Sequence, residues 1–252
     1  MQRYFVPNEN WAGEHVILTD DDFHHVVRVM RFKEGDKIIC NHPEGQASIC
    51  EITQVENNRV IAMILENLEG SAELPVNVTI AQGLPKGDKM DLIIQKGTEL
   101  GASSFIPFQA DRSVVLWDSK KMEKKLVRYS KIAKEASEQS HRNKIPSIHP
   151  AMQISELLEE SSQYELKIFP YEEEAKGKQS PSLGDILQKA EPGQKIFVCI
   201  GPEGGFSSEE AEKLIQQGFH PVRLGPRILR TETAALYTLA SISYHLEELR
   251  CQ

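Results

Sequence analysis

From residue 76 onward, short apolar runs alternate with segments of helical periodicity, and this alternation constrains the fold more than any other feature. A run such as 196–200, which is apolar at almost every position, is typical of a strand buried on both faces of a parallel sheet. The pattern predicts an α/β domain with a mainly parallel sheet. The predicted strands are 76–81, 104–108, 166–169, 196–200 and 222–224. The predicted helices are 90–100, a lysine-rich segment near 120–136, 154–160, 183–190, 208–217 and 231–249.

The first 70 residues have a different pattern, in which short β-like runs are separated by turn residues. Strands this short and this regularly spaced predict a small β-barrel, interrupted by one helical piece at 22–30. The runs are 4–6, 15–18, 37–40, 47–52 and 59–64. The polar stretch 71–75 ends in a proline and is predicted to be a linker. We therefore expect a barrel domain at 1–70 and an α/β domain at 76–252.

The distribution of charge separates the middle of the chain from the rest. The whole chain has a net charge of −8, which excludes a protein that binds nucleic acid by bulk charge alone. Residues 71–150 nevertheless hold 13 basic and 9 acidic side chains. Most of the basic residues share one face of the lysine-rich helix, opposite an apolar stripe. This face is either an ordinary solvated surface or a strip that contacts phosphates.

Several classes of protein are not supported. No stretch approaches the roughly 20 apolar residues of a membrane helix, and the amino terminus lacks the pattern of a signal peptide. The 4 cysteines are widely spaced and form no CxxC pair, so we expect neither disulfides nor a metal site. These features predict a cytoplasmic protein without a membrane partner.

Three loops that follow predicted strands carry the candidate chemistry, because ligands of parallel sheets bind at the carboxyl ends of the strands. Residues 201–206 read GPEGGF and precede a helix, so their backbone can approach a ligand closely. This loop is neither a GxGxxG fingerprint nor a P-loop, and a tight turn alone could explain its glycines. Residues 224–235 place two arginines in a glycine-proline loop, and residues 82–91 bring lysines to the same edge.

Four motifs in these segments resemble one known family: QGLPKGDKMDLIIQKGTELG at 82–101, EASEQSHR at 135–142, IGPEGGFS at 200–207 and LGPRILRTETA at 224–234. They are similar to those of the 16S ribosomal RNA uracil-N3 methyltransferases, members of the SPOUT or α/β-knot superfamily. The resemblance implies a trefoil-knotted domain after a PUA-like barrel. It also implies a homodimer that uses S-adenosylmethionine to methylate N3 of one uridine in 16S rRNA. The expected substrate is the assembled 30S subunit, in the decoding region near the RNA's 3′ end.

The resemblance also assigns residues, carried over position by position. The cofactor would be held by Phe169, Pro170, Tyr171, Ile200, Gly201, Glu203, Gly204, Gly205, Leu224, Gly225, Ile228, Leu229 and Thr231. Apart from these assignments, five residues are our own candidates for binding the substrate: Lys86, Gln95, Lys96, Arg142 and Arg227.

Two residues are candidates for catalysis. Uracil N3 must lose a proton before it can accept a methyl group, and the planar guanidinium of Arg230 suits the resulting anion. Glu232 would accept the proton or orient Arg230; the second role is favoured because a helix amino terminus stabilises an ionised carboxylate. Two other functions stay open from the sequence: a non-catalytic RNA-binding or ribosome-assembly factor, and a ribose 2′-O-methyltransferase of the same superfamily.

Overall fold

A computed structural model describes residues 1–171 and 182–249, which form two compact units. The first unit comprises Met1–Glu73 and Ser137–Ile145. Its strands are β1 (Arg3–Phe5), β2 (Trp11–Ala12), β3 (His15–Thr19), β4 (Lys37–Asn41), β5 (Ala47–Val55) and β6 (Arg59–Leu68). Helix α1 (Asp20–His24) continues into a π-helical turn at His25–Val29, and a 3-10 turn covers Asn8–Asn10.

The six strands form one sheet in the order β1-β4-β5-β6-β3-β2, antiparallel except for the parallel pair β1 and β4. Register shifts between Ile49 and Cys50 and between Ile52 and Gln54 interrupt the β5–β6 ladder. Such bulges bend a strand and increase its twist, which allows the sheet to curve around its own core. That core contains Tyr4, Val16, Leu18, Val26, Ile38, Cys50, Ile52 and Val60. The small barrel predicted from the sequence is therefore observed as a half-barrel, a curved sheet with β1 and β2 at its two edges.

The segment 137–145 belongs to this unit through a polar network. The guanidinium of Arg142, whose side chain is 3% exposed, pairs with Glu73. The Arg142 carbonyl accepts hydrogen bonds from Arg3 (3.2 Å) and Asn41 (2.8 Å). Glu73 also accepts the backbone amide of Asn143 at 2.9 Å. The domain boundaries predicted at residues 70 and 75 stay a prediction. The structure adds to the first unit the segment Ser137–Ile145, which is distant in the sequence.

We predict that Glu73→Gln destabilises the first unit, because the buried Arg142 guanidinium would lose the negative charge of the carboxylate with which it pairs. The free energy of unfolding should fall by about 1–3 kcal/mol, the usual contribution of hydrogen bonds to a charged group. Urea unfolding measures the change. The matched control is Glu56→Gln, because Glu56 pairs with Arg59 on the surface and its loss should be undetectable. Equal midpoints for both variants would contradict the prediction.

The second unit comprises Leu74–Ala136 and Pro146–Gln252, of which the described part contains the other strands and helices. The strands are β7 (Asn77–Gly83), β8 (Ser104–Gln109), β9 (Ser147–Ile148), β10 (Met152–Gln153), β11 (Leu166–Pro170), β12 (Lys195–Ile200) and β13 (His220–Val222). The helices are α2 (Lys89–Glu99), α3 (Ser119–Gln139), α4 (Ile154–Glu160), α5 (Leu183–Leu187), α6 (Ser208–Gln216) and α7 (Thr231–Ser243). A 3-10 turn covers Ser161–Gln163, and α7 continues into a π-helical turn at Tyr244–Leu249.

These seven strands form a sheet in the order β10-β8-β7-β12-β11-β13, with β9 beside β8 and every described pair parallel. Strand β12 shows why both faces are buried: Ile196 and Val198 belong to one core cluster and Phe197 and Cys199 to the other. Buried residues of α2, α3, α5 and α7 belong to the first cluster, and those of α4 and α6 to the second. The predicted parallel α/β domain is confirmed.

The lysine-rich helix is also confirmed, since Tyr129 and Ala133 of its predicted apolar stripe are buried in the core. Two details differ from prediction. The strand predicted at 222–224 is β13, at His220–Val222, because its ladder partner on β11 ends at Pro170. The two-residue strands β9 and β10 are too short to leave a periodic pattern.

Within the described ranges, no helix is long and apolar enough to cross a membrane.

Candidate functional site

An open cleft of about 940 Å³ lies at the carboxyl ends of β11, β12 and β13. Most of its lining comes from the loops that follow these strands, where a parallel sheet is expected to bind ligands. Its volume falls in the range of about 300–1,000 Å³ typical of small-molecule sites. The lining residues from these loops include Pro170, Tyr171, Ile200–Phe206 and Val222–Thr231.

The predicted cofactor residues meet in this cleft. All of them line it except Phe169, which is fully buried behind the wall. The Phe169 ring packs edge-on against that of Phe206, with centroids 5.7 Å apart. Since Phe206 does line the cleft, Phe169 supports the wall from behind.

The predicted catalytic and substrate residues are more dispersed. Arg230 and Arg227 line the cleft. Glu232 does not, but its Oε2 lies 3.7 Å from Nζ of Lys89, which does. Lys86 adjoins the cleft through its backbone amide, which donates to Oε1 of Glu203 at 3.0 Å.

Like Lys86, three further predicted substrate residues are not part of the cleft lining. Gln95 and Lys96 are on α2, and Lys96 pairs with Glu99 one turn further along. Arg142 is buried in the first unit against Glu73. This position gives Arg142 a structural role, and its contact with substrate stays a prediction.

The glycine loop 201–206 is held from the β8 side by Arg112. Its Nη1 donates to the carbonyl of Gly204 at 3.1 Å. A Cβ at Gly204 would lie 2.8 Å from Cβ of Arg112, closer than real side chains approach. Glycine is therefore required at this position for the two segments to touch.

Helix α6 fixes the other end of the same loop. Ser207 caps the helix by accepting the amide of Glu210 at 3.2 Å, and Glu210 accepts the Ser207 amide at 2.8 Å in return. The second oxygen of Glu210, a residue only 1% exposed, accepts the amide of Asp111 at 2.9 Å. This capping box ties the glycine loop to the segment after β8.

The end of β7, the glycine loop and the start of α7 meet at one buried hydroxyl. Thr231 donates through Oγ1 to the carbonyl of Gly201 at 2.6 Å. The same Oγ1 accepts Nε2 of Gln82 at 2.8 Å, and Gln82 is fully buried. The cleft is thus built on a fixed hydrogen-bonded junction of three chain segments.

The charges on one rim of the cleft are paired. Nζ of Lys89 lies 2.7 Å from Oε1 of Glu203, and this hydrogen bond raises the pKa of Lys89. Partial burial opposes ionisation of Glu203, but the hydrogen bonds from Lys89 and the Lys86 amide outweigh it and lower the pKa of Glu203. Both groups are therefore charged at neutral pH.

Arg230 differs from Lys89 because it is exposed and forms no ion pair with any described residue. Its position before α7 places the guanidinium near the Lys89 ammonium. Repulsion between these two positive charges acts to lower the pKa of Lys89, against the larger effect of Glu203. A cation without a carboxylate partner at the mouth of a cleft is available to an anionic or carbonyl-rich ligand. No group of three His, Cys, Asp or Glu side chains in residues 1–171 and 182–249 is arranged to hold a metal ion.

The sequence analysis assigned no role to three residues that build the site, Gln82, Lys89 and Arg112, although it placed the lysines of 82–91 at this edge of the sheet. Gln82 and Lys89 stand inside the motif at 82–101, but the motif alone does not say which side chains turn toward the neighbouring loops. Arg112 follows β8, so the rule that ligand-binding loops follow parallel strands could have included it.

Comparisons with known proteins agree with this architecture. The RNA methyltransferase domain family matches residues 72–243, and the RNA methyltransferase PUA domain family matches residues 18–65. Fold and matches together define the class: RNA methyltransferases that carry a PUA domain before the catalytic domain.

Named relatives narrow this class. Ribosomal RNA small subunit methyltransferase E of Bacillus subtilis (strain 168) is 45% identical over 253 residues, covering 99% of each chain. The protein of the same name from Synechocystis sp. is 33% identical and covers 97% of this chain and 78% of its own length. The crystal structure of the Neisseria gonorrhoeae protein of that name, bound to S-adenosyl methionine, matches with a TM-score of 0.84 and 32% identity. That match covers 97% of this chain and 98% of the other.

The chain therefore belongs to the ribosomal RNA small subunit methyltransferase E family. The predicted fold class, a SPOUT-type α/β domain after a PUA-like barrel, and the predicted enzyme class are confirmed.

Proposed function

We propose that this chain transfers the methyl group of S-adenosylmethionine to N3 of uracil in one uridine of 16S rRNA. The proposed substrate is the assembled small subunit, and the uridine lies in the decoding region near the 3′ end. The observation that carries this proposal is Arg230, an unpaired cation at the mouth of a glycine-lined cleft. Support also comes from the family, whose relatives are named for methylation of small-subunit RNA.

The residues of the cleft suit S-adenosylmethionine. Apolar walls from Ile200, Leu224 and Leu229 can cover a purine, and the backbone of the loops offers hydrogen-bonding groups close to it. When bound, this cofactor supplies a methyl group on an electrophilic sulfonium. The protein's own task is therefore to position the two reactants and to prepare the acceptor nitrogen.

Preparing the acceptor means removing the proton from uracil N3. The resulting negative charge spreads over O2, N3 and O4, and Arg230 can stabilise it with its planar set of donors. The carboxylate of Glu232, two residues further on in the first turn of α7, is 14% exposed. Its Oε2 accepts no hydrogen bond from a described residue. Glu232 therefore either takes the N3 proton or orients Arg230.

The rest of the molecule must hold the surrounding RNA, because the target base has to leave any stack or pair to expose N3. We propose that Arg227, Lys86, Gln95, Lys96 and Arg142 contribute to this binding. The exposed lysines of α3 would contact phosphates, which makes binding weaker as salt concentration rises.

A homodimer is part of the proposal. Thr233, Tyr237, Ala240 and Tyr244 share one exposed face of α7 and its π-helical extension, and the two tyrosines are 42% and 58% exposed. An aromatic, uncharged helix face of this kind is typical of a protein interface. Ribosomal RNA in the small subunit would be met in the cytoplasm.

We predict that Tyr237→Glu dissociates this dimer, because a carboxylate would be buried against its own copy. Sedimentation velocity should show the mass change from two chains to one. Ile215→Glu on α6 is the matched control, because Ile215 is also exposed (46%) but lies on another helix. The control should keep the mass of the wild type. If Tyr237→Glu also keeps that mass, the proposed interface on α7 is contradicted.

The proposed substrate is tested by methyl transfer from labelled S-adenosylmethionine. The acceptors are small subunits from cells that lack this modification, free 16S rRNA and large subunits. We expect label in small subunits and none in large subunits. Equal labelling of free 16S rRNA would overturn the proposal that the assembled subunit is required.

A further inference from the structure

Lys89, the first residue of α2, faces carboxylates from two separate parts of the chain. Its Nζ lies 2.7 Å from Oε1 of Glu203 and 3.7 Å from Oε2 of Glu232. The side chains of these three residues are between 14% and 31% exposed. The ion pairs are thus partly shielded from solvent and stronger than those of a fully exposed surface.

The two carboxylates lie in segments with different proposed roles, one in cofactor binding and the other in preparing the acceptor nitrogen. Glu203 lies in the glycine loop after β12, which lines the cleft. Glu232 lies in the first turn of α7, two residues after Arg230. Lys89 therefore connects the start of α2 with both the loop predicted to hold the cofactor and the helix turn predicted to prepare the acceptor.

The two contacts are different in kind. The contact with Glu203 is a short hydrogen bond, and Glu203 also accepts the backbone amide of Lys86. The contact with Glu232 is longer than a hydrogen bond, so the ammonium attracts Oε2 of Glu232, a buried atom that accepts no hydrogen bond from a described residue. The other charged group that acts on Lys89 is Arg230, which repels it.

We propose that Lys89 is a positioning residue that couples the cofactor loop to the start of α7. Its hydrogen bond holds Glu203 and the glycine loop in place. Its charge keeps the Glu232 carboxylate near Arg230 without occupying the oxygen that faces Lys89. This inference rests on the proposed function for the roles of Glu203 and Glu232, but the coupling itself is a property of the free protein.

The coupling is tested first without cofactor or RNA, by amide hydrogen exchange on the full chain. Lys89→Met should speed exchange in two segments, 202–206 and 231–235, because both lose a contact. Glu203→Gln should speed exchange in the first segment only. Lys195→Met is the matched control, since Lys195 lies at the amino end of β12 and should change neither. Wild-type exchange at either segment of Lys89→Met would overturn the proposal.

The second readout separates cofactor affinity from the rate of transfer. Lys89→Met should weaken S-adenosylmethionine binding about fivefold and also lower kcat, whereas Glu203→Gln should weaken binding with little effect on kcat. The double variant should bind no more weakly than the weaker single variant, because both substitutions disrupt the same ion pair. Lys89→Arg should restore most of both losses. Additive losses in affinity, or equal effects of both single variants on kcat, would overturn the coupling.

The two proposals fail in different ways. If the wild-type chain binds no S-adenosylmethionine, the proposed function fails, and hydrogen exchange still decides whether Lys89 couples the two segments. If the wild-type chain binds and transfers but Lys89→Met matches it in affinity, kcat and exchange, the role of Lys89 fails alone.

Discussion

Arg230→Ala should lower the rate of methyl transfer by about 10²–10³-fold, the usual cost of removing one group that stabilises a developing anion. Binding of S-adenosylmethionine should change little, because Arg230 is exposed and its side chain makes no capping hydrogen bond to α7. The backbone bond from the Ala234 amide to the Arg230 carbonyl stays in the variant. Single-turnover transfer and calorimetric cofactor binding measure the two effects separately.

Arg230→Lys is the informative companion, since it keeps the positive charge but loses the planar pair of donors. We expect a rate between those of the wild type and the alanine variant. Arg59→Ala, on the surface of the first unit, controls for the loss of a positive charge elsewhere. Transfer by Arg230→Ala at the wild-type rate would remove Arg230 from the mechanism.

Gly83→Ala should have the largest effect on stability near the cleft. A Cβ at Gly83 would lie 2.6 Å from Cδ and 2.7 Å from the backbone nitrogen of Pro202. Neither atom belongs to a flexible side chain, so β7 and the glycine loop would have to separate. We expect the free energy of unfolding to fall by about 1–3 kcal/mol, as for other overpacked sites, and cofactor affinity to fall with it.

Gly184→Ala is the matched control for this substitution. Its Cβ would meet only Oγ of Ser182, at the ordinary contact distance of 3.7 Å, and Gly184 lies in helix α5. Alanine favours a helix over glycine, so stability should be unchanged or slightly higher. Urea unfolding and calorimetric binding compare the two variants. Wild-type stability and affinity in Gly83→Ala would contradict the close packing of β7 against Pro202.

The sequence predicted the α/β layers well because their signals are local. In β12, alternate residues enter two different cores, and this requires apolar side chains at nearly every position. In α3, Tyr129 and Ala133 recur at helical spacing and are buried, while Lys131 between them is exposed. Such patterns depend on neighbours along the chain, which a sequence displays directly.

Contacts between distant residues were not predictable in the same way. Arg142 is a predicted substrate residue, and only the structure shows that it pairs with Glu73, 69 positions earlier. Lys89 is 114 positions from Glu203, and nothing in a local pattern joins them. The loops of the cleft could be predicted because parallel strands bring their carboxyl ends to one edge. The pairing of charges within those loops required the structure.

The central claim is tested most directly by the identity of the methylated nucleoside. Small subunits labelled by the wild-type chain would be digested completely, and the labelled nucleosides separated and identified by mass spectrometry. Our account predicts N3-methyluridine as the only labelled product, formed about 10²–10³-fold more slowly when Arg230→Ala replaces the wild type. Label on a ribose 2′-hydroxyl, or on any base other than uracil, would contradict the proposed chemistry of the cleft.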